Sequence, residues 1–284
     1  MVAMKLVLAV AGLVGLAGAA ALVVQQLDQD QQFRALMASG DSALATGNTY
    51  AAIEAFSGGV ALRADSMLAH LRRGQAYQAQ HRQDEAVRDY LEAARLQPGA
   101  ADPLLALAEL YDGRGDTAQA AEWYGRAADV DGRNPALLYR LALARYRTGQ
   151  PATVLEPLRR ALALEPGFDE AHYLLGLALR DTHDVAGAVA ALERAIQANP
   201  SLTVAREELA DIYRAQGRFA DDLAQLAALA SSDARGSRDV AIALAEARQG
   251  RFDIALTTLT GARARFPADS QVVLALGRVH LMRA

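Results

Sequence analysis

The chain has no cysteine. Disulfide bonds, thiolate catalysis, cysteine-ligated zinc, covalent haem attachment and lipid anchoring through an N-terminal cysteine are therefore excluded. The lack of thiols fits an oxidising compartment but does not require one. Lysine is almost absent too, since Lys5 is the only lysine among 29 basic side chains. This preference for arginine is typical of a GC-rich bacterial genome.

Strong net charge and catalytic motifs are also lacking. The formal net charge is -4 and the arginines are spread along the chain, so there is no electrostatic case for a nucleic-acid partner. No glycine-rich phosphate loop, G-x-S-x-G elbow, H-E-x-x-H motif or plausible carboxylate pair occurs. We therefore predict a chain without catalytic residues, metal ligands or cofactor.

The chain instead carries an internal repeat, which is clearest in residues 169–202. A polar turn at 181–184 separates two runs of apolar residues at helical spacing, which predicts a helical hairpin. Neither helix can bury its apolar stripe alone, so such a hairpin needs copies of itself on either side. The two runs are Tyr173, Leu174, Leu177, Leu179 and Val185, Val189, Leu192, Ile196.

Shifting the chain against itself by 34 residues aligns the same residue types. Small residues recur where two helices should approach closely, and a bulky residue fills the space between them. Turn glycines and helix-ending prolines recur at fixed positions of the same period. The small residues are Ala52, Ala86, Ala120, Ala188 and Ala93, Ala127, Ala161, Ala195; the bulky ones are Phe56, Tyr90, Tyr124, Leu158, Leu192; the others are Gly47, Gly115, Gly149, Gly217 and Pro98, Pro166, Pro200.

The pattern resembles the tetratricopeptide repeat, a helix-turn-helix of 34 residues. The similarity is carried by Leu107-Ala108 with Tyr111, by Leu175-Gly176, and by Leu209-Ala210 with Tyr213. It implies an all-α, right-handed α-solenoid of about seven hairpins across residues 33–284. The expected repeats are 33–66, 67–100, 101–134, 135–168, 169–202, 203–236 and 237–269, with a half-repeat at 270–284. We number them 1 to 7 below.

Three places depart from the pattern. Pro157 falls inside the second helix of repeat 4, which predicts a local kink. Asp222 occupies a position where a tightly packed alanine is expected. The half-repeat carries Val272, Val279, Leu281 and Met282, which make a poor polar cap, so this end either binds a partner or a second copy, or is a tolerated short tail.

The five histidines do not suggest a metal site. His70 and His172 share one position of the repeat and His81 and His183 share another, in each case three repeats apart. Residues so far apart along a solenoid cannot ligate one ion, so packing and turn roles are predicted.

The N-terminal segment, residues 1–24, contains an uninterrupted apolar run at 6–24. As a helix this run is about 28 Å long, close to the hydrocarbon thickness of a bilayer. Lys5 before it and the acidic residues of the polar connector 25–32 after it orient the repeats away from the cytoplasm. We favour an uncleaved single-pass anchor in a bacterial inner membrane; the alternative is a cleaved signal and a periplasmic or secreted protein.

Small residues at four-residue spacing mark one face of this segment and would let another transmembrane helix approach closely. The alternative is that glycine and alanine are simply common in anchors. The face consists of Ala11, Gly12, Gly15 and Ala19.

Resemblance to the family also implies a binding surface, because its members usually bind peptides or partner helices along the concave face of their first helices. Tyrosine and arginine are the residue types that dominate such interfaces. The alternative is a mixed solvated face. The predicted groove residues are Arg72, Gln75, Tyr139, Arg140, Leu143, Tyr146, Arg147, Tyr173, Leu174, Leu177 and Arg180.

These features together favour a non-catalytic, membrane-tethered scaffold that holds or assembles protein components of a membrane or envelope complex. A peptide-binding adaptor released by signal cleavage is the second hypothesis. An enzyme or small-molecule carrier is the third, and the least favoured.

Overall fold

A computed structural model describes the backbone of residues 2–230 and 236–283. Side chains are described from residue 23 onward within these ranges, apart from positions 219, 227, 230 and 270. All regular secondary structure in the described ranges is helical, with no strand. The all-α prediction is therefore confirmed for this part of the chain. The chain forms two compact units, residues 1–132 and 133–284.

The first unit contains three helical hairpins. Helix α1 runs without interruption from the N-terminal segment into repeat 1, and each following helix packs against its neighbours in sequence. The helices are α1 (Val2–Ala45), α2 (Thr49–Leu62), α3 (Met67–Ala79), α4 (Gln83–Leu96), α5 (Ala101–Arg114) and α6 (Thr117–Val130).

The second unit contains four hairpins and one further helix. Each hairpin again packs on the next, and the last helix packs on both helices of the hairpin before it. The helices are α7 (Pro135–Arg147), α8 (Leu155–Leu164), α9 (Asp169–Asp181), α10 (Val185–Ala198), α11 (Thr203–Ala215), α12 (Phe219–Ala230), α13 (Ser237–Arg248), α14 (Phe252–Arg265) and α15 (Ser270–Arg283).

In repeats 1, 2 and 5 a glycine of the first helix faces the bulky residue of the second, as Gly40 faces Phe56, Gly74 faces Tyr90 and Gly176 faces Leu192. The bulky residues Phe56, Tyr90 and Leu192 are at most 1% exposed. A methyl group added to Gly74 would lie 2.6 Å from the Tyr90 ring, and one added to Gly176 would lie 2.7 Å from Leu192. These distances are below van der Waals contact, so the hairpins pack as closely as the sequence pattern predicts.

Two histidines end the first helices of repeats 2 and 5 in a left-handed conformation. His81 has a φ of 60° and His183 a φ of 67°. Glycines take the same place in the other turns, at φ between 71° and 81° for Gly47, Gly115, Gly149, Gly217 and Gly250. The turn role predicted for these histidines is confirmed, at the steric cost that a Cβ meets in this region.

The prediction for Pro157 was wrong in detail. Instead of a kinked helix, the chain forms a 3-10 turn at Pro151–Val154 and starts α8 afresh at Leu155. Pro157 is then the third residue of α8, in the first turn, where a backbone N–H has no intrahelical acceptor to bond. Because α8 begins at Leu155, the missing N–H of Pro157 costs no hydrogen bond within the helix.

Asp222 lies fully buried at the position taken by alanine in other repeats. Its two carboxylate oxygens accept hydrogen bonds from Nε and Nη2 of Arg214, at 3.2 and 3.0 Å. A buried carboxylate is tolerated here because a cation across the hairpin pairs with it.

Helix α15 covers the end of the second unit better than its sequence suggests. Val272 and Val279 are fully buried against α13 and α14. Leu274 and Leu281 on the other side are 63% and 80% exposed. The half-repeat therefore closes the core with one face and presents apolar side chains with the other.

Candidate functional site

The predicted groove residues of repeats 4 and 5 lie on the first helices α7 and α9, which contact one another in the second unit. We call the surface formed by α7, α9 and α11 the groove face. Tyr139, Leu143 and Tyr146 are half-buried on α7, one helical turn apart, and pack over a cluster around Ala142 and Leu174. The Tyr139 ring lies 5.1 Å from that of Phe168.

The neighbouring helix α9 continues this apolar row. Tyr173 and Leu177 are half-buried, with Tyr173 packed against the cluster around Leu209. Leu174, by contrast, is only 3% exposed and belongs to the core beneath α7. The prediction of Leu174 as a groove residue was wrong, because its side chain packs against the preceding hairpin.

Side-chain contacts connect the first helices of repeats 4 to 7 pair by pair, and we call this set of contacts the polar ladder. Tyr146 on α7 donates its hydroxyl hydrogen to Asp181 on α9, which also accepts from Arg180 at 3.0 Å. Arg180 donates to Glu208 on α11. The adjacent Glu207 accepts from Arg238 on α13 at 2.8 Å. Periodicity alone does not predict these contacts, whose members lie 28 to 35 residues apart.

The ladder changes the electrostatics that the sequence suggested. Arg180 is engaged by two carboxylates, so the centre of the groove face is not strongly basic. Burial, together with the hydrogen bond to Asp181, raises the pKa of Tyr146 to about 12. Burial likewise raises the pKa of Tyr139 and of Tyr173, in part beside Glu170 and Glu208. All three tyrosines therefore remain neutral hydrogen-bonding groups at physiological pH.

The edges of the groove face differ in charge. Arg140 and Arg147 are exposed on α7. Glu170 is exposed on α9, where its hydrogen bond with Asp169 raises its own pKa and lowers that of Asp169. The surface thus runs from arginine on α7 to carboxylates on α9 and α11.

The remaining predicted groove residues, Arg72 and Gln75, belong to the first unit. Arg72 Nη1 donates to Gln75 Oε1 at 3.0 Å, and its Nε lies 3.3 Å from Asp41 on α1. Both side chains are half-buried on α3.

The N-terminal predictions fall largely outside the described side chains. Ala11, Gly12, Gly15 and Ala19 have no described side chain. From residue 23 onward, where side chains are described, no helix is both long and apolar enough to cross a membrane. In those same residues no three histidine, aspartate or glutamate side chains cluster as a metal site would require.

Several solved structures share this fold. A tetratricopeptide repeat protein from Parabacteroides merdae matches 88% of this chain and 99% of its own, at 15% identity and a TM-score of 0.57. The MamA protein matches 60% of this chain and 93% of its own, at 19% identity and a TM-score of 0.54. Pseudomonas aeruginosa pilF matches 76% and 96%, at 18% identity and a TM-score of 0.53.

A comparison with curated protein sequences gives no match. The tetratricopeptide repeat family model matches residues 37–103, 139–203, 173–237 and 240–283, which together are well over half of the chain. With the 34-residue period and the stacked hairpins described above, this match shows that the chain belongs to the tetratricopeptide repeat family.

Proposed function

We propose that this protein is a non-catalytic scaffold that binds a protein segment on the groove face. The observation that carries the proposal is the row of half-buried side chains Tyr139, Leu143, Tyr146, Tyr173 and Leu177, on two helices fixed to each other by the polar ladder. Tyrosines held in place lose little side-chain entropy on binding and offer both apolar area and a hydroxyl.

The charges of the groove face define the partner. Arg180 is already paired, so the centre favours aromatic or aliphatic side chains over an acidic one. The partner segment is therefore apolar where it meets the centre of the groove face.

Site-directed photo-crosslinking tests this proposal. A crosslinking amino acid at Leu177 should capture a specific partner from solubilised membranes, and Tyr173→Ser in the same chain should reduce the yield. The matched control is Leu164, which is 47% exposed on the second helix α8. Equal capture from both positions would refute use of the groove face.

We further propose that residues 6–24 tether the protein to the bacterial inner membrane, with the repeats on the periplasmic side. The length of the apolar run and the placement of Lys5 support this. The mass of the mature protein tests it, because an uncleaved anchor retains residues 1–24. A mature chain that begins after the alanines at 19–21 would instead support the released adaptor.

A further inference from the structure

A cavity of about 470 Å³ lies where the first helices α9 and α11 end, beside the start of α10. Its apolar walls are Val185 of α10 and Ile212 and Ala215 of α11. Ile212 is 6% exposed and belongs to the core cluster of these repeats, so this wall is a fixed part of the fold. Arg180 lines the cavity from α9 and follows Leu177 by three residues, on the same side of that helix. The cavity therefore continues the groove face at the C-terminal ends of its helices.

Two carboxylates share one arginine at the α9 side of this cavity. Nη2 of Arg180 lies 3.0 Å from a carboxylate oxygen of Asp181, and Nη1 donates to Glu208. Glu208 lines the cavity, and its side chain is 26% exposed. A carboxylate that accepts one such bond keeps further lone pairs, so Glu208 can still accept from a group in the cavity.

Two carboxylates likewise share one arginine at the α11 side. Asp211 accepts from Nη1 of Arg214 at 2.6 Å, and the fully buried Asp222 accepts from Nη2 at 3.0 Å. Asp211 also lines the cavity, and its side chain is 69% exposed. The two sets together hold four carboxylates and two guanidiniums, which leaves two negative charges in excess. The next ion pair along the chain, Arg218 with Asp221, adds no net charge.

The apolar walls and the excess negative charge together define what fits the cavity. Glu208 and Asp211 are three residues apart on α11, so their Cβ atoms are about 5 to 6 Å apart on one side of the helix. A guanidinium or ammonium group can donate to both carboxylates, while its aliphatic stem packs against Ile212 and Ala215. An acidic group would meet repulsion, and a purely apolar group would take water from the carboxylates without replacing its hydrogen bonds.

We propose that this cavity holds a long basic side chain, arginine or lysine, of the protein segment that binds the groove face. The inference rests on the proposed function and adds one requirement to the partner. An extended segment advances about 3.3 Å per residue. Arg180 is about 4.5 Å from Leu177 along the axis of α9, at about 1.5 Å per residue. The basic residue therefore lies within about four residues of the apolar side chain that contacts Leu177.

Disulfide tethering on the full-length chain in a neutral detergent tests the cavity without the partner. The chain has no cysteine, so one introduced thiol is a unique attachment point. Gln216→Cys places it at the exposed rim of the cavity, and Leu164→Cys, at a side chain 47% exposed on α8, is the matched control. The probes are mercaptopropyl disulfides that end in a guanidinium, an ammonium or a urea, which has the shape of guanidinium without its charge. Intact mass gives the conjugated fraction of each at a fixed concentration of reductant.

We expect the Gln216→Cys chain to retain the guanidinium probe about threefold or more over the urea probe at low ionic strength, since two partly exposed carboxylates contribute. The Leu164→Cys chain should retain both equally. The preference should fall toward onefold at about 1 M salt, where such charges are screened. Equal retention of the ammonium probe indicates that lysine serves as well as arginine, and weaker retention indicates arginine.

Asp211→Asn in the tethering chain is the decisive variant. It removes one cavity carboxylate, while Arg214 keeps its bonds to Asp222, and it should reduce the preference by about twofold or more. Asp253→Asn is the matched control, because Asp253 is also an exposed carboxylate paired with an arginine, Arg283, but lies on α14. It should leave the preference unchanged. Melting temperatures confirm that both variants fold.

Three outcomes overturn the inference. The first is equal retention of the guanidinium and urea probes in the Gln216→Cys chain, and the second is a preference that Asp211→Asn does not change. The third is a segment crosslinked at Leu177 that has no arginine or lysine within about four residues of the crosslink, which would leave use of the groove face intact. Equal crosslinking from Leu177 and Leu164 would instead refute the proposed function and this inference together.

Discussion

Tyr146 on α7 donates its hydroxyl hydrogen to the Asp181 carboxylate on α9 at 2.6 Å, which ties the first helices of two consecutive repeats together across the groove face. Removing the hydroxyl by Tyr146→Phe keeps the ring over the core. We expect this change to lower the free energy of unfolding by about 1 kcal/mol, the usual worth of such a bond. Urea denaturation at neutral pH measures it. No loss of stability would show that solvent replaces the bond without cost.

The same hydroxyl predicts a dependence on alkaline pH. Burial and the bond to Asp181 raise the pKa of Tyr146 from 10.0 to about 12 in the folded chain. Its contribution is therefore complete below about pH 10 and is lost as the pH rises through about 12. The stability difference between the unmodified chain and Tyr146→Phe should shrink over this window. A difference that grows with pH would contradict the assignment.

The pair of Arg214 and Asp222 predicts an asymmetric mutational response. Arg214→Met leaves the fully buried Asp222 carboxylate without its cation, and we expect a loss of about 3 kcal/mol. Asp222→Ala restores the alanine found at this position in other repeats. Because the partly exposed Arg214 keeps its ion pair with Asp211, the loss in free energy of unfolding should stay below about 1 kcal/mol. Denaturant unfolding of both variants measures these values.

The double variant Arg214→Met with Asp222→Ala is the control for this pair. It should recover most of the stability lost in Arg214→Met alone, because no buried charge remains. Additive losses in the double variant would show that the two side chains act independently.

The left-handed histidines predict a gain of stability. His81→Gly and His183→Gly should each stabilise the chain by about 0.5 to 1 kcal/mol, since a Cβ at positive φ is removed. Gly115→Ala, at a φ of 81° with open space around it, is the reciprocal change and should destabilise by a similar amount. Melting temperatures of the three variants measure these effects. A lower melting temperature for His81→Gly would indicate that its imidazole has another stabilising role.

Association of two copies through the exposed side of α15 is one of the roles that the sequence left open for the half-repeat, beside a different partner and a tolerated tail. Leu274→Glu and Leu281→Glu should shift a dimer toward monomer in light scattering without unfolding the chain, because both side chains face away from the core. Removing residues 270–284 is a poorer test, since it would also uncover Leu259. An unmodified chain that is monomeric at all concentrations would refute self-association.

The repeated spacing of small and bulky residues was sufficient to predict the hairpins, because a bulky side chain can pack closely only against a small residue, as Leu192 does against Gly176. The placement of Pro157 could not be predicted, since it depended on whether the chain would kink a helix or begin it later. Periodicity assigns a residue to a helix and a face, but not to a partner in another repeat.

The candidate surfaces show the same limit. Tyr139, Tyr146 and Tyr173 were predicted as groove residues from their position in the repeat, whereas the pairing of Arg180 with Glu208 depends on side-chain conformations. Among the described residues, Nδ1 of His172 has no hydrogen-bond partner, which was not predicted although a signal existed. Comparing His70 and Asp89 with His172 and Ala191 along the repeat would have shown that one partner is lacking.

Helix α1 runs from Val2 to Ala45 without a break, so the N-terminal segment and the first repeat share one rod. Each residue of such a rod adds about 1.5 Å of height and about 100° of rotation. Inserting a single residue within 25–32 would therefore rotate repeat 1 by more than a quarter of a turn about the helix axis. Inserting seven residues, about two full turns, would nearly restore its original orientation. The number of residues in the connector, more than their identity, sets the direction in which the first repeat points.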